Sequence, residues 1–391
     1  MASVSIEGLL VIADITGYTA FLRESELEHA EDSLRSLLNL LLDHTRPPLV
    51  VSRLQGDAVI SYAPQGSFQQ GQTLVETIES TYLAFRQARE RMVINTTCMC
   101  NACRNIPNLD LKFFVHHGTF MNQHLGSHIE LVGADVNLIF RLSKNTVSKK
   151  MGYAAYAMYT AAVADAMDMG DICGHMTPHT ESYDDVGEVE TFVQDLHAAW
   201  ERGRDRLRVS VPPGEGVLSV EYELPYPPAM MWDYLTKPEN RAFLMGSDRV
   251  GVTGKADGRI GQGAIYECAH GKKMFPQTIV DWRPLEECTT ESASILPKTT
   301  ILTTVMLRPT AQGTIATMTF GGIRGPLILR FMDGLAWRVI GRFARRDIVN
   351  GFKKFHAIVD EEVAQAGPAA TPPPDIVPQQ VEDALAQSLR S

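Results

Sequence analysis

The chain has 391 residues, 45% of them hydrophobic and 21% charged, which is the composition of an ordinary globular protein long enough for two domains. A formal net charge of −10 argues against a general binder of nucleic acid or of anionic membranes, so neither is expected as a partner. No stretch approaches the ~20 apolar residues that span a bilayer. The apolar run after Gly8 lacks a basic leader, and the six cysteines form no secreted framework, so a cytoplasmic setting is expected.

The first half alternates strand and helix. Leu9–Ile12 reads as a buried strand that ends at Asp14. A helix over 25–44 follows from leucines at helical spacing, stopped by Pro47 and Pro48. Residues 49–62 read as a hairpin turning at Gln55-Gly56-Asp57, and residues 73–91 as a second helix. A strand over 110–116, a helix over 133–143, strands over 153–158 and 188–193, and an Ala-rich helix over 160–167 complete this half. The order β-α-β-β-α-β predicts a ferredoxin-like core with additions. Residues 201–216 are read as a linker, placing the first domain at 1–200.

The second domain, 217–366, opens with an alternating strand over 218–224 and a helix over 229–244. Strands over 263–268, 274–282, 288–294, 299–308 and 313–320 precede a helix over 328–363. That order predicts a helix-grip fold, and an α+β class for the whole chain. The Pro- and Ala-rich tail, 367–391, is expected to be disordered.

Asp14 and Asp57 carry the most information. Each ends an apolar strand, where a carboxylate is costly unless paired, hydrogen-bonded or bound to a cation. Two such groups on neighbouring strands repel, and a hard divalent cation such as Mg2+ resolves the repulsion while recruiting phosphate oxygens. That points to phosphoryl or nucleotidyl transfer. On the helix after Gly133, Asn137 and Arg141 stand at i, i+4 and share a face, a pair suited to a ribose and a developing phosphoryl charge.

The ordered set Asp14-Ile15-x-Gly17-Tyr18-Thr19, Gly56-Asp57, His116-x-Gly118 and Gly133-x-x-Val136-Asn137-x-x-x-Arg141 resembles the class III adenylyl/guanylyl cyclase catalytic domain over about residues 7–195. The resemblance implies that Asp14 and Asp57, with Ile15, hold Mg2+ or Mn2+. It implies that the amides of Ile15 to Tyr18 cradle phosphates, with Gly17, Tyr18 and Thr19 at the nucleotide, and that Asn137 orients the ribose while Arg141 stabilises the attacked phosphate. It further implies a head-to-tail homodimer acting on a nucleoside triphosphate. At the base-recognition positions stand Arg53 and Glu130, which suit adenine and also admit guanine. Where the family carries a phosphate-binding lysine, in the segment 184–188, this chain has Val186; Lys144, Lys149 or Lys150 are the candidate substitutes.

Cys98, Cys100 and Cys103 are a candidate structural zinc site, the fourth ligand being sought among Cys173, His175, His179, His117 and His124; free thiols are the alternative. The second half resembles the START-like SRPBCC (polyketide cyclase-type) domains, through Pro227-Pro228-x-x-x-Trp232-x-x-Leu235, the turn region 258–263 and the last helix. That implies a cavity for a hydrophobic small molecule, with Trp232, Tyr266, Phe275 and Trp337 as lining candidates or as plain core. The apolar face Ile340, Phe343, Ile348, Phe352, Phe355 of the last helix is expected to pack on the sheet. Three functions follow: a regulated cyclase making cyclic AMP, an inactive cyclase-fold binding module, or a START-like carrier or aromatic cyclase with a dimerising first half.

Overall fold

The computed structural model describes the backbone of residues 5–45, 47–95, 98, 100–125, 128–204, 208–271, 273–294, 299–325 and 327–366. The described residues form two compact units that divide between residues 205 and 206. The tail expected to be disordered lies outside them, as does the Trp337 side chain.

The first unit runs β1 (Ser5–Thr16), α1 (Tyr18–Arg23), α2 (Leu27–Thr45), β2 (Val50–Gln55), β3 (Ala58–Pro64), α3 (Gly71–Asn95), α4 (Asn101–Asn105), β4 (Asp110–Leu125), β5 (His128–Val132), α5 (Ala134–Leu142), α6 (Val147–Met151), β6 (Tyr156–Thr160), α7 (Ala161–Ala166), α8 (Gly170–Cys173), β7 (Thr177–Tyr183), β8 (Gly187–Asp195) and α9 (Leu196–Arg204). Its sheet has the order β2-β3-β1-β4-β6-β8-β7, with β5 paired to β4. Each neighbouring pair in β2-β3-β1-β4 is antiparallel, and α2 and α3 make the two crossovers, which is the ferredoxin-like arrangement. β6 then adds to β4 in parallel.

β1 is buried on both faces, which is why its sequence is a near-continuous apolar run rather than an alternation. Leu9, Val11, Ala13 and Ile15 face α2 and α3, packing with Leu34, Leu37, Leu38, Leu41, Ile78 and Tyr82. Leu10 and Ile12 face the other way, against Phe114 and the α5 residues Val136, Ile139 and Leu142. The predicted strand over 110–116 continues to Leu125, because β1 pairs with it as far as Met121 and β5 pairs with the rest. In the segment 184–188, residues 184–186 form the turn between β7 and β8, where Val186 is 44% exposed, and Gly187 and Glu188 begin β8.

The second unit runs β9 (Leu218–Leu224), α10 (Pro228–Thr236), α11 (Pro238–Met245), β10 (Arg249–Thr253), β11 (Ile265–His270), β12 (Lys273–Arg283), β13 (Glu287–Ala293), β14 (Thr300–Thr310), β15 (Gly313–Phe320) and α12 (Leu327–Ala366). Its antiparallel sheet has the order β10-β11-β12-β13-β14-β15-β9, so the first strand closes beside the last. The single helix predicted over 229–244 is two helices. Lys237 is extended (φ −62°, ψ 123°), because the ring of Pro238 disfavours a helical residue before it. Phe352, Phe355 and Val359 of α12 are fully buried with Trp232, Trp282 and Leu307. Phe343, expected on that face, is 62% exposed. The predicted linker's end is not free chain: Val209 donates its N–H to the Asp281 carboxylate (2.8 Å) and Val211 to the Thr304 hydroxyl (2.9 Å).

Candidate functional site

Backbone pairing brings the two aspartates together. Asp14 of β1 lies in register with Ala58, the first residue of β3, and Asp57 sits in the preceding β2–β3 turn. The Ile15 amide donates to the Asp57 carbonyl at 3.3 Å, fixing that turn against β1. Both side chains are partly buried, and burial raises both carboxyls above the usual range. Asp57 is pushed up to about 7, with the charge of Asp14 adding to the burial. Lys112, the register partner of Asp14 on β4, pulls Asp14 back only in part, and burial lowers the lysine's own pKa. Among the described residues, no other side chain makes a hydrogen bond or ion pair with either carboxylate. Two converging, underneutralised carboxylates form a hard oxygen donor set that fits a Mg2+- or Mn2+-sized cation.

Gly17 follows, with φ +88° at the start of α1, and a Cβ there would lie 2.9 Å from the Asn108 carbonyl oxygen. Only glycine meets both conditions. Tyr18 is buried and Thr19 exposed. Because the Ile15 amide is taken by Asp57, the phosphate cradle expected from Ile15 to Tyr18 is shorter by that donor.

The two base-recognition candidates, 77 residues apart in sequence, are an ion pair: Arg53 Nη1 donates to Glu130 Oε1. A second donation from Arg53 reaches Gln55 (3.3 Å), and the guanidinium lies 5.5 Å from the Phe140 ring centroid.

On α5, Asn137 is exposed and Arg141 forks onto Asp185 in the β7–β8 turn, with Nη2 to Oδ2 at 2.5 Å. Among the described residues, no hydrogen bond or ion pair joins Asn137 or Arg141 to Asp14 or Asp57. Lys144, Lys149 and Lys150 are exposed.

Sequence reasoning missed Asp135. Its carboxylate accepts the Thr119 amide (2.7 Å) and meets His116 Nε2 at 3.3 Å, while His116 Nδ1 meets the Thr160 hydroxyl at 2.9 Å. This explains His116-x-Gly118 physically: a Cβ on Gly118 would lie 2.4 Å from the Asp135 carboxyl carbon. An acidic residue in the first turn of a helix was the available signal.

Cys98, Cys100 and Cys103 lie at the entry to α4 with their sulfurs within 4.8 Å of one another. Among the described residues, none of the histidines or Cys173 expected as a fourth ligand, nor any carboxylate, lies within 4.8 Å of all three sulfurs. Cys173 is core, with burial pushing its thiol up to about 11; His179 pairs with Glu181 at 2.6 Å; and the His124 side chain lies outside the described residues. In the second unit, Trp232 and Tyr266 are buried core, Trp232 packing edge-on to Trp282, whereas Phe275 is 43% exposed and corrects the expectation that it lines a cavity.

The pattern of a family described as "Protein of unknown function (DUF2652)" matches residues 34–152. The uncharacterised protein Rv2561/Rv2562 of Mycobacterium tuberculosis is 29% identical over 163 residues, which is 42% of this chain and 73% of that protein. Among solved structures, the guanylyl cyclase Cya2 is 17% identical, covering 49% of this chain and 93% of its own at a TM-score of 0.38. The adenylyl cyclase CyaB from P. aeruginosa is 14% identical, covering 50% and 97% at a TM-score of 0.38. Solved adenylyl and guanylyl cyclase domains are thus structural neighbours over about half of the chain.

Proposed function

We propose that the first unit is a class III nucleotidyl cyclase that converts ATP to cyclic AMP and pyrophosphate. The observation that carries this reading is the convergence of Asp14 and Asp57, each partly buried, with burial first and the charge of Asp14 second raising the Asp57 carboxyl to about 7. Asp14 and Asp57, with the Ile15 carbonyl, would hold Mg2+ or Mn2+, which when bound supplies acidity to the ribose 3′-hydroxyl and neutralises the triphosphate. Gly17, Tyr18 and Thr19 would border the phosphates, and Arg53 with Glu130 would read the base by donating to one ring edge and accepting from it. A second copy docked head to tail would bring its Asn137 to the ribose and its Arg141 to the attacked phosphate. The second unit, a helix-grip START-like domain in this reading, would bias that dimer when a hydrophobic small molecule binds. Incubation of the full chain with Mn2+ and ATP or GTP tests the reading: cyclic product is expected, and is lost in Asp57→Ala. Cyclic product that persists undiminished in Asp57→Ala would remove it.

A second reading, ligand binding by the second unit without cyclase turnover, is favoured by one buried arginine. Arg241 is 4% exposed and donates from Nη2 to Gln277 Oε1 (3.1 Å) while stacking on Tyr266 at 4.2 Å. Its Nε and the Nδ2 of the equally buried Asn240 have no partner among the described residues. Buried donors without acceptors suit a hydrophobic ligand with an acidic end. Thermal shifts with a panel of fatty and aromatic acids, lost in Arg241→Gln, would support it; identical shifts in the variant would count against it.

A further inference from the structure

We propose that Cys98, Cys100 and Cys103 bind one Zn2+, with the Glu26 carboxylate, held beside them by the Ala102 amide, turning in as the oxygen donor in the fourth position. The three sulfurs already lie within 4.8 Å of one another. Zinc–sulfur bonds of about 2.3 Å put tetrahedral sulfurs a little under 4 Å apart, so side-chain adjustment alone closes the site.

The local backbone points donors at two of the sulfurs. The Cys100 amide donates to Cys98 Sγ, and the Cys103 amide to Cys100 Sγ, each at 3.5 Å. Amide donors aimed at two of the sulfurs suit thiolate ligands. Glu26 lies at the same place: its Oε2 accepts the Ala102 amide at 3.0 Å. The Cys100 thiol also hydrogen-bonds that carboxylate. Three sulfurs within 4.8 Å of one another, with a carboxylate hydrogen-bonded to the same turn, make a donor set that one cation would hold together. Soft sulfur donors in a set of three, with one oxygen, select zinc over the hard cation suited to the aspartates.

The site also has a structural task. α4 has five residues, far too few to be stable alone, and occupies the connection between α3 and β4. Cys100 is its N-cap and Cys103 lies in its third position, so one ion would tie both ends of its first turn to Glu26, just ahead of α2. The metal would hold this connection in place.

Metal analysis of full-length protein purified without a metal-chelating tag is expected to give about one zinc per chain, falling below roughly a tenth in C98S/C100S/C103S. Should the triple variant not fold, cobalt exchange into the unaltered chain gives a second readout: the intense thiolate-to-cobalt and ligand-field bands of a tetrahedral site. E26Q is expected to weaken zinc by about tenfold or more in chelator competition. Zinc retained by the triple variant, an iron–sulfur chromophore, or a metal-free wild-type protein with no tetrahedral cobalt spectrum would overturn the site. Unchanged affinity in E26Q would overturn the assignment of Glu26.

Discussion

Arg141 and Asp185 form a two-pronged ion pair across 44 residues of sequence, each guanidinium nitrogen donating to a separate carboxylate oxygen. The pair ties the helix that carries Asn137 to the β7–β8 turn, beside Val186. The two side chains are 41% and 61% exposed, so the pair is worth only about 0.5 kcal/mol. A triphosphate, with several charges, outcompetes one carboxylate for that guanidinium. In the cyclase reading Asp185 therefore holds Arg141 in waiting. Asp185→Ala is expected to tighten triphosphate binding about two- to threefold, the equivalent of that energy, measured by titration with a fluorescent nucleotide. Arg141→Ala is expected to cut cyclic-product turnover by about 10²-fold or more.

Asp57 gives a pH dependence with a definite sign. Its carboxyl lies near 7 in the folded chain and in the ordinary carboxylate range when unfolded. The folded state therefore binds the proton more tightly, and the contribution of this group to stability falls as pH rises from about 4 to 7. A divalent cation substitutes for the proton. Mn2+ is expected to raise the melting temperature more at pH 8 than at pH 6, with affinity falling toward tenfold per pH unit below 7 as one proton is displaced. Asp57→Asn is expected to melt higher than wild type at pH 8 without metal and to lose the Mn2+ effect. Scanning calorimetry of both proteins with and without Mn2+ checks this.

Arg53 and Glu130 satisfy each other while no base is bound, and their side chains are 33% and 40% exposed. A purine edge would replace a partly solvated ion pair with two charge-assisted hydrogen bonds. Losing one such bond costs about 1.5–3 kcal/mol. Arg53→Ala is expected to weaken the preferred triphosphate by roughly tenfold or more while leaving inorganic triphosphate binding unchanged. Equal losses for both would place Arg53 at the phosphates rather than the base.

What the sequence reveals and conceals follows from the range of the forces involved. β1 and the α2 stripe of Leu34, Leu37, Leu38 and Leu41 were legible because burial writes a local pattern. β7 was not: its sequence, Thr-Pro-His-Thr-Glu-Ser-Tyr, is polar, and it is a strand only because β8 pairs with it. The break between α10 and α11 carried a readable signal in Pro238, which the apolar run around Trp232 outweighed. On α12, Phe343 and Phe352 are nine residues apart, close to half a turn out of phase at about 100° per residue, so one cannot be buried with the other. Asp14 and Asp57 stood out because a carboxylate at the end of an apolar strand is conspicuous. The pairing of Arg141 with Asp185 left no trace, since an exposed aspartate in a turn looks like any other.

Gly118 offers a test of the framework beneath the site. It faces Asp135, whose carboxylate is fixed by the Thr119 amide and by His116, itself buried and held by Thr160. The would-be Cβ contacts in Gly118→Ala are 2.4 Å to the Asp135 carboxyl group and 2.7 Å to its Cβ, far inside van der Waals distance. The Asp135 side chain cannot yield at its own Cβ, so α5 and β4 must move apart or the His116–Asp135 contact must break. Overpacking of this kind costs about 1–3 kcal/mol. Urea unfolding of Gly118→Ala is expected to show a loss in that range. The displacement of α5 is also expected to reduce cyclic-product turnover at saturating triphosphate, because Asn137 and Arg141 ride on the same helix. Full stability would mean that α5 yields without cost and that the contact of Asp135 with β4 does not position it.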